Sequence, residues 1–254
     1  MTGPERETPS REGHASLRTG LRRALHDEAH GPLPALLLAL TVLAGVVDAT
    51  SILRLGHVFV ATMTGNLVFL GLAAAGAKGF AVGTSAMAVG GFVVGVLIGA
   101  KACGAAGSHR GLALRNVLGV KLWLGGSVTV VAIFSGSNFG VGARDLMLIL
   151  LAASMGAQLA AIRYLKVPDL LTVVLTLTIT GALTERRGWN DPASLRRGLA
   201  VLSFAFGALA GALLILNVGI VAALGLGLAI IIGCAIAAHV VSRDAADWSA
   251  PRAA

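Results

Sequence analysis

The residues best suited to chemistry in this sequence lie in one short stretch, residues 48–66. Asp48 stands in the apolar run Leu33–Leu53, about 15 residues and roughly 22 Å from its start. A carboxylate at that depth in a bilayer is costly and indicates an ion-coupling or substrate site, although an interhelical hydrogen bond would also explain it. Ser51 follows one helical turn later and could share the site.

The segment Phe59–Gly71 is apolar enough for a bilayer, but its centre is a poor membrane helix. Thr64 and Asn66 are helix-capping residue types, and Gly65 interrupts the helical pattern. Together with Thr62 they predict a helix that begins near the bilayer interior. Unpaired N–H groups and the positive end of the helix dipole would favour an anion there. A cap that only satisfies a kinked helix is the alternative.

Polar residues in the second half of the chain predict a weaker copy of this stretch. Thr176 and Thr178 fall in the apolar segment 170–184, whose roughly 15 residues are too few for a full span. Gln158 lies in the helix that would match the Asp48 helix, where it could bind a ligand or join two helices. Threonines in membrane helices usually bond to their own backbone, so a structural role is the alternative for Thr176 and Thr178.

Other chemistry is not indicated by the residue spacing. Cys103 and Cys234 lie in or beside apolar runs, and no Cys/His spacing resembles a metal site. No Ser/His/Asp, Cys/His or paired-carboxylate arrangement supports hydrolysis. We therefore expect a protein that is not an enzyme and that holds no metal and no cofactor.

Composition places these residues in a membrane. The chain has 254 residues, of which 56% are hydrophobic and 13% charged, whereas soluble domains carry about 25% charged residues. The net charge of +8 does not indicate nucleic acid, because the basic residues fall in short loops between apolar runs. The expected partners are the lipid bilayer and a small solute, with no nucleic acid, and a homo-oligomer stays open.

Eight apolar segments follow one another along the chain, and each is a candidate membrane element. They cover residues 33–53, 57–76, 82–100, 117–135, 146–164, 170–184, 198–216 and 218–240. If the second and sixth segments enter and leave on one face, only Arg54, Lys78 and Arg144 of the 20 Lys and Arg residues lie outside. Eight full crossings would place the basic cluster Lys101–Lys121 outside instead. The positive-inside rule thus favours six transmembrane helices and two broken or re-entrant segments.

A weak internal repeat relates the two halves. An offset of 112 residues brings Gly95 onto Gly207, and an offset of 111 brings Gly45 onto Gly156. Three crossings per half is an odd number, so the halves would be inverted repeats, a common transporter design. We expect halves at about 33–136 and 145–242 of one helical membrane domain.

The polar ends of the chain complete this organisation. Residues 1–32 are expected to form a disordered cytoplasmic tail, residues 33–242 the membrane domain, and residues 243–254 a short polar tail. Both termini would then be cytoplasmic.

Three stretches closely resemble the YoaK-like bacterial membrane proteins, namely Gly45–Ser51, Leu53–Gly56 and Phe59–Gly71. That family is a domain of unknown function with several transmembrane helices, and the resemblance covers roughly residues 33–242. The run Phe-Val-Ala-x-Met-Thr-Gly-Asn is its specific part. The family implies a bacterial inner-membrane location and supplies no reaction.

The second half matches that family more loosely. Relatives tend to have Gly-x-Gln-Asn-Ala where this chain has Gly156-Ala-Gln158-Leu-Ala160. They also tend to carry Thr-Gly-Thr where this chain has Thr176-Leu-Thr178.

The sequence therefore predicts an all-α polytopic membrane protein with an internal inverted repeat. The leading functional hypothesis is a small-solute transporter or permease, with an anion as the solute that suits the helix start and Asp48 as the carrier of a coupling proton. The alternative is a non-transporting membrane scaffold or assembly partner.

Overall fold

The computed structural model describes residues 30–136, 139–167 and 192–242, together with residues 20, 22 and 24–26. Its described helices are α1 (Leu33–Arg54), α2 (Met63–Ala74), α3 (Val82–Gly104), α4 (Arg110–Ser135), α5 (Val141–Leu165), α6 (Pro192–Asn217) and α7 (Ile220–Val241). These ranges contain no strand, so the prediction of an all-α fold is confirmed.

Six of these helices, all except α2, are long and apolar enough to cross a membrane. They have 22 to 26 residues each. That corresponds to about 33–39 Å, which exceeds the roughly 30 Å hydrocarbon core. Within the described residues, the prediction of six helices capable of spanning a membrane is confirmed. Helix α2 has only 12 residues, about 18 Å, so it cannot cross as a single helix. The predicted short segment 170–184 lies outside the described residues.

Two parallel helix pairs pack closely in the bundle, α1 with α6 and α3 with α5, and α1 and α5 are the most buried of the long helices. In each pair a glycine brings the backbones together. A methyl group on Gly207 would overlap the carbonyl oxygen of Val42, and one on Gly95 would overlap that of Ala153. Small side chains allow this close approach, which supplies packing between helices in lipid.

The remaining long helices run antiparallel to their neighbours. Arg110, at the start of α4, donates a hydrogen bond to the carbonyl oxygen of Leu165 at the end of α5. A methyl group on Gly111 would lie 3.2 Å from Cβ of Ser242, the residue after α7. Helix α4 therefore runs antiparallel to both α5 and α7.

The segment between α1 and α3 returns to the end of the bundle from which it starts. A methyl group on Gly56, just after α1, would lie 2.9 Å from Cγ2 of Thr84 near the start of α3. At the same end, the Arg54 guanidinium lies over the ring of Phe139, 5.3 Å from its centroid. The placement of this segment as re-entrant in a bilayer, like the internal repeat, stays a prediction.

Candidate functional site

Asp48 lies in α1, and the non-helical segment at residues 59–62 binds its carboxylate. Oδ1 accepts hydrogen bonds from the backbone N–H of Val60 at 2.8 Å and of Ala61 at 2.7 Å. Oδ2 accepts one from the Thr62 hydroxyl at 2.8 Å. The side chain is almost fully buried, with 2% of its surface exposed. Three donors therefore offset part of the free-energy cost of burying a carboxylate.

The segment reaches Asp48 because the chain reverses direction after α1. Gly56 has φ +108° and His57 has φ +58°, so the turn uses two successive left-handed residues. Asp48 precedes the last residue of α1, Arg54, by six positions, about 9 Å along the helix axis. Residues 59–62 therefore run back beside the end of α1, and α2 begins at the depth of Asp48.

Asn66 binds the same segment from α2. Its Oδ1 accepts a hydrogen bond from the backbone N–H of Phe59 at 2.8 Å, and its Nδ2 donates one to the carbonyl oxygen of Phe59 at 2.5 Å. Gly65 makes room for the ring of Phe59, because a methyl group there would lie 2.7 Å from Cδ2. We call Asp48, Asn66 and residues 59–62 the polar clasp.

The polar clasp satisfies backbone that belongs to no helix. An unpaired backbone N–H or C=O group costs several kcal/mol in lipid, so non-helical backbone at membrane depth needs partners from the protein. Asp48 and Asn66 provide them for Phe59, Val60 and Ala61. The arrangement can therefore hold an irregular segment at membrane depth, and three of its hydrogen bonds go to the carboxyl group of Asp48.

The prediction that Thr64 and Asn66 cap the start of a helix is wrong, because α2 begins before both residues. The N-cap of α2 is Thr62, which makes no side-chain cap hydrogen bond and binds Asp48 instead. Thr64 lies inside the helix and is exposed, while Asn66 is buried and binds back to the preceding segment. The other two predicted threonines, Thr176 and Thr178, lie outside the described residues.

The structure separates the two remaining predicted residues from each other. Ser51 is fully buried one turn after Asp48, and its Oγ has no partner in the described part of the chain. Gln158 donates a hydrogen bond from Nε2 to the carbonyl oxygen of Leu40 at 3.0 Å, which joins α5 to α1. Leu40 precedes Asp48 by eight residues, about 12 Å along α1, so Gln158 is not part of the polar clasp.

Lys121 is a buried charged residue that was not among the residues predicted to be functional. Helix α4 begins at Arg110 and not at residue 117, so Lys121 lies near the middle of a 26-residue helix. Its inclusion among the loop cations was therefore wrong. The side chain is fully buried, and Nζ donates hydrogen bonds to the carbonyl oxygen and the Oγ of Ser154, both at 3.2 Å. The apolar residues on both sides of Lys121 in the sequence were the available signal.

A cavity of about 20 Å³ lies between α1, α4, α5 and α7, with space for about one water molecule. Ser154, which binds Lys121, lines this cavity. Val47, the residue before Asp48, lines it as well. The other wall residues are mostly apolar and include Leu43, Gly125 and Ile231.

Six apolar helices of membrane-spanning length, with a buried aspartate and a buried lysine inside two of them, define a polytopic helical membrane protein. The chain belongs to the family described as "Protein of unknown function (DUF1275)", whose sequence profile matches residues 36–237. It is 34% identical over 154 residues to the UPF0700 transmembrane protein YoaK of Bacillus subtilis (strain 168). That match covers 60% of this chain and 67% of that protein, so the resemblance to the YoaK-like family is confirmed. No solved structure matches the chain significantly.

Proposed function

We propose that this protein is a small-solute transporter or permease of the bacterial inner membrane, in which the polar clasp is the moving part. The observation that carries this proposal is the binding of a buried carboxylate to non-helical backbone at the start of α2. Discontinuous helices at membrane depth are typical of transporter binding sites. Intramembrane carboxylates commonly mark proton and ion pathways.

A change in the protonation of Asp48 would loosen the clasp. As a carboxylate, Asp48 accepts hydrogen bonds from Val60, Ala61 and Thr62. Once protonated, it carries a donor of its own and loses negative charge, so it holds these groups less well. The freed N–H groups at the start of α2 would then be available to an anionic solute. Proton and solute would thereby be coupled, because the anion and the ionised Asp48 compete for the same donors.

We further propose that the two halves of the membrane domain are inverted repeats. Gly45 of α1 faces the carbonyl oxygen of Phe204 in α6, and Gly156 of α5 faces that of Phe92 in α3. An offset of 111 residues relates Gly45 to Gly156, and an offset of 112 relates Phe92 to Phe204. The two contacts are therefore equivalent under the proposed repeat. Helix α1 runs antiparallel to α5, because Leu40 in its first half binds Gln158 in the second half of α5, and Arg54 at its end lies over Phe139 just before α5. Inverted repeats require this arrangement.

The orientation that we propose has both termini in the cytoplasm and the segment between α1 and α3 re-entrant from outside. Its support is the distribution of charge between the two ends of the bundle. The end that holds the starts of α1, α4 and α6 carries Lys101, Arg110, Arg115, Arg163, Lys166, Arg196 and Arg197. The opposite end carries Arg54, Lys78 and Arg144.

Solute-driven proton movement tests the transport proposal. The purified protein is placed in liposomes that contain a pH-sensitive dye, and chloride, nitrate, phosphate, glutamate or glycine is added outside. We expect at least one of these solutes to change the internal pH, and we expect Asp48→Asn to abolish the change. Asp145→Asn is the matched control, because Asp145 lies near the start of α5 in an ion pair with Arg144 at 2.8 Å. An unchanged response in Asp48→Asn would remove Asp48 from the mechanism.

A non-transporting scaffold or assembly partner is the second candidate. The observation that favours it is that both carboxyl oxygens of Asp48 accept hydrogen bonds from the chain itself, so a structural role accounts for the clasp without a solute. In that case none of the five solutes changes the internal pH of the liposomes. The protein would instead purify from its native membrane with a stoichiometric partner.

A further inference from the structure

We propose that the bundle contains two rigid units that rock against each other, with the cavity on the boundary between them. One unit is the helix pair α1 and α6, and the other consists of α3, α4 and α5. The boundary is the seam, which we define by the residues of α1 and α5 that line the cavity, namely Leu43, Val47, Leu151, Ser154 and Met155. This motion is a property of the fold and does not depend on the transport of a solute.

Backbone contacts lock α1 to α6 over two helical turns. A methyl group on Gly45 would lie 2.6 Å from the backbone nitrogen of Ala208, and one on Gly211 would lie 3.0 Å from Cα of Val46. Backbone atoms of a helix cannot rotate out of the way, and close-packed interiors transmit displacement. The two helices therefore move together.

The same kind of contact locks α3 to α5. A methyl group on Gly91 would lie 2.8 Å from the carbonyl oxygen of Ile149, and one on Gly99 would lie 2.7 Å from Cα of Ala157. Between these two positions, Gly95 faces the backbone of Ala153. Three successive turns of α3 thus fit against the α5 backbone, which fixes this pair as one body.

Hydrogen bonds attach α4 to this second unit. Asn116 donates from Nδ2 to the carbonyl oxygen of Ala102 in α3 at 3.1 Å. Lys121 donates to the carbonyl oxygen and the Oγ of Ser154 in α5, both at 3.2 Å. Separation of α4 from either helix would break these bonds in a membrane domain, where little water replaces them.

The space around the cavity is packed differently, by the ends of flexible side chains. A methyl group on Gly125 of α4 would lie 3.2 Å from Cδ1 of Ile231, and one on Gly227 of α7 would lie 3.1 Å from Cδ1 of Leu43. These atoms move when a side chain changes its rotamer, so contacts at this boundary can adapt to a displacement of the helices. The cavity of about 20 Å³ shows that the two units do not fill the space between them.

One hydrogen bond joins α1 and α5 along the seam in the described part of the chain, from Nε2 of Gln158 to the carbonyl oxygen of Leu40. The Oε1 atom of this buried amide has no partner within the described residues. At the opposite end of α1, the Arg54 guanidinium lies over the ring of Phe139, which precedes α5. Both contacts use long side chains, so both can be released while the helices stay intact.

The positions of these contacts predict which end of the seam opens. Gln158 binds the first half of α1, at the end where a methyl group on Gly111 would lie 3.3 Å from Cα of Ser242. At the end that holds the polar clasp, the units meet through side chains, including Cγ2 of Thr84 against Gly56. We therefore expect the closely packed end to be the pivot and the clasp end to open.

Distances between paired spin labels, measured by double electron–electron resonance in liposomes, test the proposal. Both native cysteines are replaced by alanine, and labelled cysteines are introduced at exposed positions at the clasp end of the bundle. Leu53 with Gly142 reports across the seam, Leu53 with Leu216 reports within the first unit, and Gly83 with Gly142 reports within the second. We expect one narrow distribution within each unit and, across the seam, two populations or a distribution about twofold wider.

Gln158→Leu tests the role of the hydrogen bond across the seam. Its loss should widen the distribution between Leu53 and Gly142 and leave both distributions within the units unchanged. Thr41→Val is the matched control, because the buried Thr41 hydroxyl donates to the carbonyl oxygen of Leu37 in its own helix. We expect Thr41→Val to match the wild-type protein at all three label pairs.

Three results would overturn the proposal. The first is a distribution across the seam that is as narrow as those within the units, in the wild-type protein and in every folded variant. The second is a spread within either unit as wide as the spread across the seam, since the units would then not be rigid. The third is an equal widening across the seam in Thr41→Val and Gln158→Leu.

Discussion

Replacing Gly95 by alanine should destabilise the bundle, because α3 and α5 are in backbone contact at this position. The added methyl group would lie 2.6 Å from both Cα and the carbonyl carbon of Ala153, and it would overlap the carbonyl oxygen. Ordinary van der Waals contact begins at 3.4 Å, so the two helices must separate by at least about 0.8 Å. The atoms in the way belong to the backbone and cannot rotate aside.

The size of the effect follows from this separation. A gap of about 0.5–1 Å forfeits a quarter to a half of the dispersion energy between the atoms that face each other. Overpacking of this kind typically costs about 1–3 kcal/mol, and we expect Gly95→Ala to lie near the upper end. Gly90 is the matched control on the same helix, because a methyl group there has no atom within 4 Å. Gly90→Ala should be neutral or stabilising by up to about 1 kcal/mol, the difference in helix propensity.

Reversible unfolding in mixed micelles with increasing SDS would measure both free energies. Gly207→Ala provides an internal comparison, since its methyl group would lie 2.8 Å from the carbonyl carbon of Val42 and also overlap the oxygen. We expect Gly95→Ala and Gly207→Ala to lose similar stability and Gly90→Ala to lose none. Equal unfolding curves for Gly95→Ala and Gly90→Ala would refute the close approach of α3 and α5.

Two further predictions concern the segment between α1 and α3. Asn66→Ala leaves the partly buried N–H and C=O groups of Phe59 unpaired, at up to about 1–3 kcal/mol each. A cysteine reporter at Ala61 should therefore react faster with a thiol reagent. Thr64→Ala, on the exposed side of α2, should leave the reaction rate at Ala61 unchanged, and equal rates in the two variants would count against the clasp. Reporter cysteines at His57 and Lys78 should both be labelled from outside the cell. Labelling from opposite sides would mean that this segment crosses the membrane.

The membrane helices could be predicted from the sequence because a bilayer imposes a simple length rule. Apolar runs of about 20 residues correspond directly to spanning helices, and six of the eight predicted segments form such helices. The depth of Asp48 followed from the same rule, since its position in the run fixes its distance from the helix start. An interruption of the helix was expected near Gly65 and Asn66, and it lies a few residues earlier, at residues 55–62 just before α2.

The partners of these residues could not be predicted in the same way. The hydrogen bonds of Asp48 come from backbone N–H groups, which every residue has, so no pattern of side chains indicates them. They depend on a reversal of the chain at Gly56 and His57. Lys121 was misassigned because a single lysine near the edge of an apolar run resembles a loop cation. Only the start of α4 at Arg110 shows that Lys121 lies near the middle of a membrane helix.

The pairing of α1 with α6 has a consequence for how the protein is made. The small-residue surface of α1 around Val42 reaches its place against Gly207 only after about 165 further residues have been synthesised, roughly 8–33 s at ordinary translation rates. During that time α1 is already in the membrane without the helix that completes its packing. Helix α1 therefore depends during biosynthesis on lipid, the insertion machinery or a chaperone to cover the face that α6 later occupies.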